Sequence, residues 1–202
     1  MILPQSFEES HLPCMSRCSS ALVLAGFALC LQLVACASPT GIRPLGIPSD
    51  SMPIDLDRFM GDWYVIAHIP LAAEAQAHEA VESYELAEDG TIDVRFRFCD
   101  GGLDGPLEEF TFRGWVHDPA TNAEWRVRPV WPLAFRYQIT ELDSEYTTTV
   151  VVSGENAWVM ARRPKMDEAQ LAAITARLAE RGFALESLRR VPHRDGACRE
   201  GS

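Results

Sequence analysis

Short runs of alternating apolar and polar residues, separated by turn residues, fill most of this 202-residue chain and constrain its fold. The cleanest run is residues 91–98 (TIDVRFRF), where every second side chain is apolar, as expected for a half-buried β-strand. Seven further runs are strand-like in length and composition and are bounded by turn residues, although their alternation is less regular: residues 63–69, 80–86, 109–116, 124–128, 135–142, 146–152 and 157–162. Eight short antiparallel strands in up-and-down order predict an all-β fold, an eight-stranded antiparallel barrel without exposed edges. Such a barrel encloses either packed side chains or one small ligand.

The hydrophobic period changes after Pro164. Asp167 precedes a stretch with apolar residues at helical spacing, and the pattern predicts an amphipathic α-helix over about residues 167–181 that packs outside the barrel. Residues 187–191 predict one last short strand. The apolar segment 129–133 contains two prolines and is predicted to be a loop.

The first 35 residues have the character of a secretory signal. Residues 21–33 are almost wholly apolar but too short to span a membrane, and Leu33-Val34-Ala35-Cys36 is similar to the lipobox of bacterial lipoproteins. We therefore expect a signal peptide at 1–35, a lipid on Cys36, a tether at 36–54, a barrel domain at 55–193 and a tail at 194–202. A plain secretory signal cut near Ala37 and a core helix are the alternatives, and translation from Met15 instead of Met1 is open. Ala37 after the cysteine favours the outer membrane, with the protein facing the periplasm.

Charge and cysteine content limit the partners. The net charge of −11 argues against nucleic-acid binding, which requires Lys and Arg to neutralise phosphates. Of six cysteines, three belong to the predicted signal peptide and Cys36 would carry lipid. Cys99 and Cys198 remain, and an oxidising compartment predicts a disulfide between them, worth about 2–4 kcal/mol, with two free thiols as the alternative.

Three stretches together resemble the lipocalins, specifically the bacterial outer-membrane lipoprotein branch related to apolipoprotein D. They are Gly61-Asp62-Trp63-Tyr64, Leu142-Asp143-Ser144-Glu145-Tyr146 and Trp158-Val159-Met160-Ala161-Arg162-Arg163-Pro164. In an up-and-down barrel all three reach the same end. The resemblance implies that this end is a closed floor with Arg162 over the ring of Trp63, a cation–π contact. The floor residues are expected to be Gly61, Trp63, Asp143, Tyr146 and Arg162.

The opposite end is then expected to be open, and the resemblance implies a hydrophobic ligand inside, a fatty acid or lysophospholipid. Counting alternation from Trp63 and Arg162 gives an apolar, aromatic interior, which suits an acyl chain. Including the rim, the predicted ligand contacts are Ala67, Ile69, Val94, Phe96, Phe98, Phe110, Phe112, Val127, Trp131, Phe135, Tyr137, Ile139, Trp158 and Met160. Trp131 is the predicted rim contact, or alternatively a contact to membrane or a partner protein. An interior filled by its own side chains is the competing interpretation.

Catalytic motifs are missing: the sequence has no CxxC, HExxH or GxSxG and no glycine-rich phosphate loop. Alternation places His68 outward and Glu141 inward, where it would need a partner such as Arg126 or Arg162. A few lipocalin-like proteins are enzymes, one through a barrel thiol, but Cys99 is predicted to point outward. We therefore expect a non-enzymatic carrier, monomeric or weakly dimeric, without metal or cofactor. A structural or stress-related envelope protein with an incidental cavity is the alternative.

Overall fold

The computed structural model describes residues 53–194, and the strands in that range form one antiparallel sheet closed on itself. Each of the first seven strands pairs with the next, and β8 pairs with β1 and so closes the barrel. The predicted eight-stranded barrel is therefore confirmed. The strands are β1 (Gly61–Ile69), β2 (Ala77–Leu86), β3 (Ile92–Asp100), β4 (Leu107–Val116), β5 (Glu124–Val130), β6 (Leu133–Leu142), β7 (Thr148–Ser153), β8 (Asn156–Ala161) and β9 (Arg189–Arg190).

Helical segments lie at both ends of the described chain. Helix α1 (Leu56–Phe59) precedes β1, and helix α2 (Glu168–Glu180) follows β8. Single 3-10 turns occupy Ala72–Glu74 and Leu185–Ser187. Sequence periodicity missed α1, because four residues are too few to show a helical repeat.

Helix α2 packs on the outside of the barrel, as predicted. The carboxylate of Asp167 caps its first turn, accepting hydrogen bonds from the backbone N–H of Ala169 and Gln170 at 2.9 and 3.2 Å. The helix then buries Leu171, Ile174 and Leu178. These side chains form one cluster with the outer faces of β1, β7 and β8.

A bulge in β1 reverses the side-chain alternation and corrects three predicted orientations. Val65 pairs with Met160, but Ala67 pairs with Val159, the residue adjacent to Met160. Two steps along β1 therefore correspond to one step along β8, so β1 contains one extra residue. Val65 therefore belongs to the cluster that fills the barrel, whereas Ala67 and Ile69 belong to the outer cluster under α2. The prediction that Ala67 and Ile69 face the interior was wrong. His68, predicted to face outward, pairs with Trp158 and lies beside Glu74.

A second bulge, between Ile139 and Glu141, corrects the prediction for Glu141. Its carboxylate faces α2, where it forms ion pairs with Arg177 at 2.7 Å and Arg181 at 2.9 Å. Neither Arg126 nor Arg162 is its partner. In both strands the extra residue lets consecutive side chains turn toward the helix.

The segment predicted as a loop at 129–133 is mostly strand. Strand β5 continues to Val130, which pairs with Leu133 of β6, leaving only Trp131 and Pro132 in the turn. Pro129 is tolerated because the register shifts between Val127 and Val130, so its missing N–H interrupts no regular ladder.

Candidate ligand cavity and barrel floor

Helix α1 closes one end of the barrel with Phe59, which is fully buried. Its ring lies 5.1 Å from Trp63, 5.4 Å from Tyr84 and 5.5 Å from Trp125, centroid to centroid. Four aromatic rings therefore fill the bottom of the barrel, and only Trp63 was predicted to be there.

Arg162 holds α1 onto the barrel. Its guanidinium carbon lies 3.8 Å from the centroid of the Trp63 ring, where the sequence placed it. The same group donates hydrogen bonds to five backbone carbonyl oxygens at 2.8–3.3 Å, those of Arg58, Phe59, Met60, Asp62 and Tyr146. Three of these carbonyls end α1, so a cation satisfies acceptors that a helix C-terminus leaves without partners.

Of the other predicted floor residues, Tyr146 contacts α1, whereas Asp143 and Gly61 contact neighbouring parts of the floor. The Tyr146 hydroxyl accepts a hydrogen bond from the Asp55 N–H at 2.9 Å, and the Arg58 guanidinium lies 4.0 Å over the Tyr146 ring. Asp143 accepts a hydrogen bond from the Thr147 N–H at 2.8 Å, which fixes the β6–β7 turn. Gly61 has φ +92°, a backbone conformation that favours glycine.

Above this floor lies a cavity of about 760 Å³ that opens at the opposite end of the barrel. The volume falls within the range usual for small-molecule sites. The interior is therefore not filled by its own side chains. Seven of the predicted contacts line this cavity: Phe96, Phe110, Phe112, Val127, Phe135, Tyr137 and Trp158.

The remaining predicted contacts lie elsewhere. Val94, Phe98, Ile139 and Met160 belong to the packed cluster inside the barrel but do not line the cavity. Ala67 and Ile69 lie under α2, as described above. Trp131 is 79% exposed at the β5–β6 turn and does not line the cavity either.

Apolar side chains surround the mouth of the cavity. Leu71, Val130, Leu133 and Phe135 are between 51% and 60% exposed, and Trp131 stands beside them in sequence. Leu71 and Phe135 also line the cavity, so an apolar surface continues from the rim into the barrel.

One wall of the cavity carries a buried carboxyl, Glu82 of β2. It accepts a hydrogen bond from the Tyr137 hydroxyl at 3.0 Å, and Tyr137 and Tyr84 hydrogen-bond through their hydroxyls. Burial raises the pKa of Glu82 to about 7, although hydrogen bonds from Tyr84 and Tyr137 act in the opposite direction. Burial, with the neighbouring Glu82, raises the pKa of Tyr84 well above its ordinary value.

A second carboxyl, Glu74, enters from the 3-10 turn. Its Oε1 accepts hydrogen bonds from Trp158 Nε1 at 3.1 Å and from the Leu71 N–H at 2.9 Å. Burial raises its pKa to about 7 despite both bonds. His68 Nδ1 lies 4.0 Å away, and burial followed by the charge of Arg189 lowers the pKa of His68 to about 4.

These two carboxyls make the stability of the fold depend on pH. Each has a folded-state pKa of about 7 against 4.5 for the unfolded chain, so the native state holds the proton more tightly. Their contribution to stability is fully present below pH 4.5 and is lost as pH rises through 7.

Sequence reasoning missed Glu74, Glu82 and Tyr84. In the run 80–86 both faces mix polar and apolar residues, so periodicity could not say which face is internal. Glu74 lies in a turn, where alternation gives no direction. The one usable signal was that Ala80, Glu82 and Tyr84 share one face of β2, and that this face continues the buried face of the neighbouring strand β3.

Several predictions fall on chain that the structure does not describe. Cys36 and Cys198 lie outside residues 53–194, so the lipid anchor and the bridge to Cys99 stay predictions. Cys99 itself is fully buried on β3. In the described part, no group of three or more His, Cys, Asp or Glu could hold a metal ion. No helix between residues 53 and 194 has the length and apolar character needed to cross a membrane.

An up-and-down barrel that is plugged at one end and opens to an apolar cavity at the other has the architecture of proteins that enclose a small ligand. A family model described as a lipocalin-like domain matches residues 54–193, well over half of the chain. The chain belongs to the lipocalin family, and the resemblance drawn from its three motifs is confirmed.

Relatives and solved structures agree with this assignment. The chain is 26% identical over 145 residues to the outer membrane lipoprotein Blc of Vibrio cholerae, covering 69% of this chain and 84% of the relative. It is 25% identical over 155 residues to temperature-induced lipocalin-1 of Arabidopsis thaliana, covering 70% and 81%. Insecticyanin of the tobacco hornworm Manduca sexta superposes with a TM-score of 0.55 at 14% identity, covering 79% of this chain and 93% of that one. Per a 4 from cockroaches gives 0.53 at 18% identity, covering 73% and 94%. At such identities, these two structures show a shared fold alone.

Proposed function

We propose that the protein binds and carries a small hydrophobic ligand in the barrel, with a fatty acid or lysophospholipid placing its acyl chain in the cavity. The observation that supports this most directly is the cavity of about 760 Å³ above the aromatic floor. Each buried CH₂ group contributes about 0.8 kcal/mol. A chain of about ten carbons therefore gains on the order of 8 kcal/mol before the cost of association.

The lining residues support an apolar ligand in particular. A continuous series of rings runs along β3 and β4 through Phe96, Phe98, Phe110 and Phe112, and all of them except Phe98 line the cavity. An acyl chain that enters the cavity can contact the apolar side chains of the rim throughout its entry.

Tryptophan fluorescence tests this function, because Trp158 lines the cavity. We expect a saturable change on titration with a fatty acid or a lysophospholipid. Phe112→Glu should weaken binding at least about tenfold. A loss of about 1.4 kcal/mol of binding free energy is enough for a tenfold change, and burying a carboxylate against an apolar ligand costs more than that. Thr111→Glu is the matched control, because Thr111 is the exposed neighbour on the same strand. Equal affinities for the two variants, or no saturable response in the wild type, would refute the proposal.

We further propose that the protein is a lipoprotein of the bacterial envelope, anchored through Cys36 in the outer membrane. The sequence around Cys36 and the likeness to a relative named as an outer membrane lipoprotein support this location. Cys36→Ala should release the protein from the membrane fraction and remove the mass of the lipid. Unchanged fractionation and mass would contradict the anchor.

A further inference from the structure

Below its mouth the cavity is mostly apolar, but one wall carries Glu74 and Glu82, which are 5% and 6% exposed. Buried carboxylates are ordinarily paired with a cation. Among residues 53–194, neither carboxyl forms an ion pair with an arginine or lysine. The wall therefore has two acidic groups in an apolar cavity and no cation to balance them.

The hydrogen bonds on this wall all favour the ionised carboxyls. Tyr137 donates to Glu82 Oε2, while Trp158 and the Leu71 N–H donate to Glu74 Oε1. Within the described chain, no hydrogen bond reaches Glu74 Oε2. The wall thus retains acceptor capacity that the protein does not use.

His68 gives an independent indication that a polar partner is missing. It is 1% exposed, and its Nδ1 has no hydrogen-bond partner although it lies 4.0 Å from Glu74 Oε1. Buried polar atoms without partners are rare in folded proteins. An unpaired ring nitrogen beside an incompletely bonded carboxyl marks this wall as the polar part of a binding site.

The side chains around the carboxyls are aromatic. The rings of Tyr137 and Trp158 lie 6.3 Å apart, and Phe96 lines the same cavity. Aromatic faces attract cations, most strongly where water is excluded. Carboxylates and aromatic rings together form the surroundings that suit an ammonium group.

We propose that this wall binds the cationic head group of a single-chain amphiphile, with Glu74 and Glu82 as counter-charges and Tyr137 and Trp158 as aromatic contacts. The inference rests on the proposed function, since the apolar chain occupies the rest of the same cavity. An anionic head group in that position would meet two groups of its own charge. Of the ligands proposed above, the wall therefore disfavours the fatty acid, and among single-chain amphiphiles of equal length it selects cationic over anionic head groups.

Binding of a cation to this wall favours loss of the carboxyl protons. Burial raises the pKa of both carboxyls to about 7, so affinity should rise with pH by about tenfold for one carboxyl, and up to roughly a hundredfold for both, between pH 6 and 8.5. His68, with its pKa lowered to about 4, stays neutral throughout.

The other groups around the wall do not reverse this trend. The pKa values of Tyr84 and Tyr137 lie well above their ordinary value, so both remain neutral. At the mouth, the exposed Arg136 pairs with Glu124 at 2.6 Å, while Glu155 is exposed. Arg189 acts on His68 and forms no ion pair with either carboxyl.

Three ten-carbon probes with pH-independent charge test the proposal on the purified protein. Decyltrimethylammonium, decyl sulfate and 1-decanol are titrated below their micelle concentrations at pH 6 and pH 8.5, with Trp158 fluorescence and calorimetry as readouts. We expect the cation to bind at least tenfold more tightly than decyl sulfate at pH 8.5, and its affinity to fall at least several-fold at pH 6. Equal or tighter binding of decyl sulfate, or a cation affinity independent of pH, overturns the proposal.

Two isosteric variants assign the effect to the wall. Glu74→Gln and Glu82→Gln should each weaken cation binding about tenfold and reduce its pH dependence, while leaving 1-decanol binding in place. Glu85→Gln is the matched control, because Glu85 is an exposed carboxylate on the same strand as Glu82 and does not line the cavity. It should behave as the wild type. A loss of cation affinity in Glu85→Gln as large as in the wall variants contradicts the assignment.

The neutral probe separates the two proposals. If 1-decanol binds but the cation has no advantage, the cavity function stands and the inference about its wall is wrong. If none of the three probes binds, the proposed function fails and the inference fails with it. Tighter binding of 1-decanol at pH 6 than of the cation at pH 8.5 would mean that protonated carboxyls donate to a neutral ligand, which also overturns the proposal.

Discussion

Removing the guanidinium of Arg162 tests whether one side chain secures the closed end of the barrel. The group reaches five carbonyl oxygens and the face of Trp63, and three of the carbonyls belong to residues 58–60 at the end of α1. Because Phe59 carries the ring that plugs the floor, a loosened α1 also loosens the aromatic cluster. Arg162→Ala and Arg162→Lys therefore probe contacts that no neighbouring residue replaces.

The expected magnitude follows from these contacts. Four of the hydrogen bonds are 2.8–2.9 Å long and one is 3.3 Å. The two hydrogens of Nη2 are shared among three of the carbonyls, so at about 1 kcal/mol net for each full hydrogen bond the four shorter contacts contribute about 3 kcal/mol. The cation–π contact adds about 0.5–1 kcal/mol. Arg162 is only partly buried, so water reaches some of the carbonyls in the variant and reduces the loss. We expect Arg162→Ala to lower the free energy of unfolding by about 2–4 kcal/mol, which for a domain of this size is a fall in Tm of roughly 5–15 °C.

Denaturant unfolding followed by tryptophan fluorescence measures this loss. Arg162→Lys keeps the charge but not the planar fork, and it should recover less than half of the loss. Arg163→Ala is the matched control, because Arg163 is the exposed next residue and should change stability by less than about 0.5 kcal/mol. A change for Arg162→Ala as small as for Arg163→Ala, or full recovery by lysine, would refute the reasoning.

Three further predictions concern the inner wall, the outer helix and the tail. Glu82→Gln should reduce the fall in unfolding free energy between pH 5 and pH 8 by on the order of 2–3 kcal/mol, measured by denaturant titration at each pH. Leu178→Ala should cost about 2–5 kcal/mol without changing ligand affinity, because its fully buried side chain lies outside the barrel, and Glu180→Ala on the exposed face should change neither. If Cys99 and Cys198 are bridged, non-reducing peptide mapping will recover them as one linked peptide and Cys198→Ser will lower stability by about 2–4 kcal/mol; separate peptides contradict the bridge.

Much of the fold could be predicted because it repeats. Eight strands with alternating side chains, one change of period after Pro164 and three motifs at one end of the barrel were enough to predict the architecture and the contact between Trp63 and Arg162. Each of these signals extends over several residues, so a single irregular residue does not remove it. Helix α1 has no such support, since its four residues contain only two apolar side chains, Leu56 and Phe59, of which Phe59 alone is fully buried.

The site was harder to predict because the direction in which each side chain points, into or out of the barrel, was inferred by counting alternate residues along a strand. One extra residue in β1 reversed every assignment beyond Val65, so Ala67 and Ile69 were placed inside and His68 outside. Where no bulge intervened, as along β3 and β4, the count placed Phe96, Phe110 and Phe112 on the cavity wall. The alternation of side chains in the sequence does not reveal where a bulge inserts an extra residue. A prediction that counts alternate residues from one end of a strand is therefore wrong for every residue beyond the bulge.

The bulge in β1 also connects the outer helix to the inner wall. Ile66 and Ala67 are consecutive, and both belong to the outer cluster, which gives α2 two adjacent contacts on one strand. The same extra residue brings His68 beside Glu74, where a regular strand would have placed an apolar side chain. A regular β1 would therefore have packed the helix less well and left Glu74 without its neighbouring imidazole. The local irregularity that defeats the periodicity argument is what places a polar side chain behind Glu74.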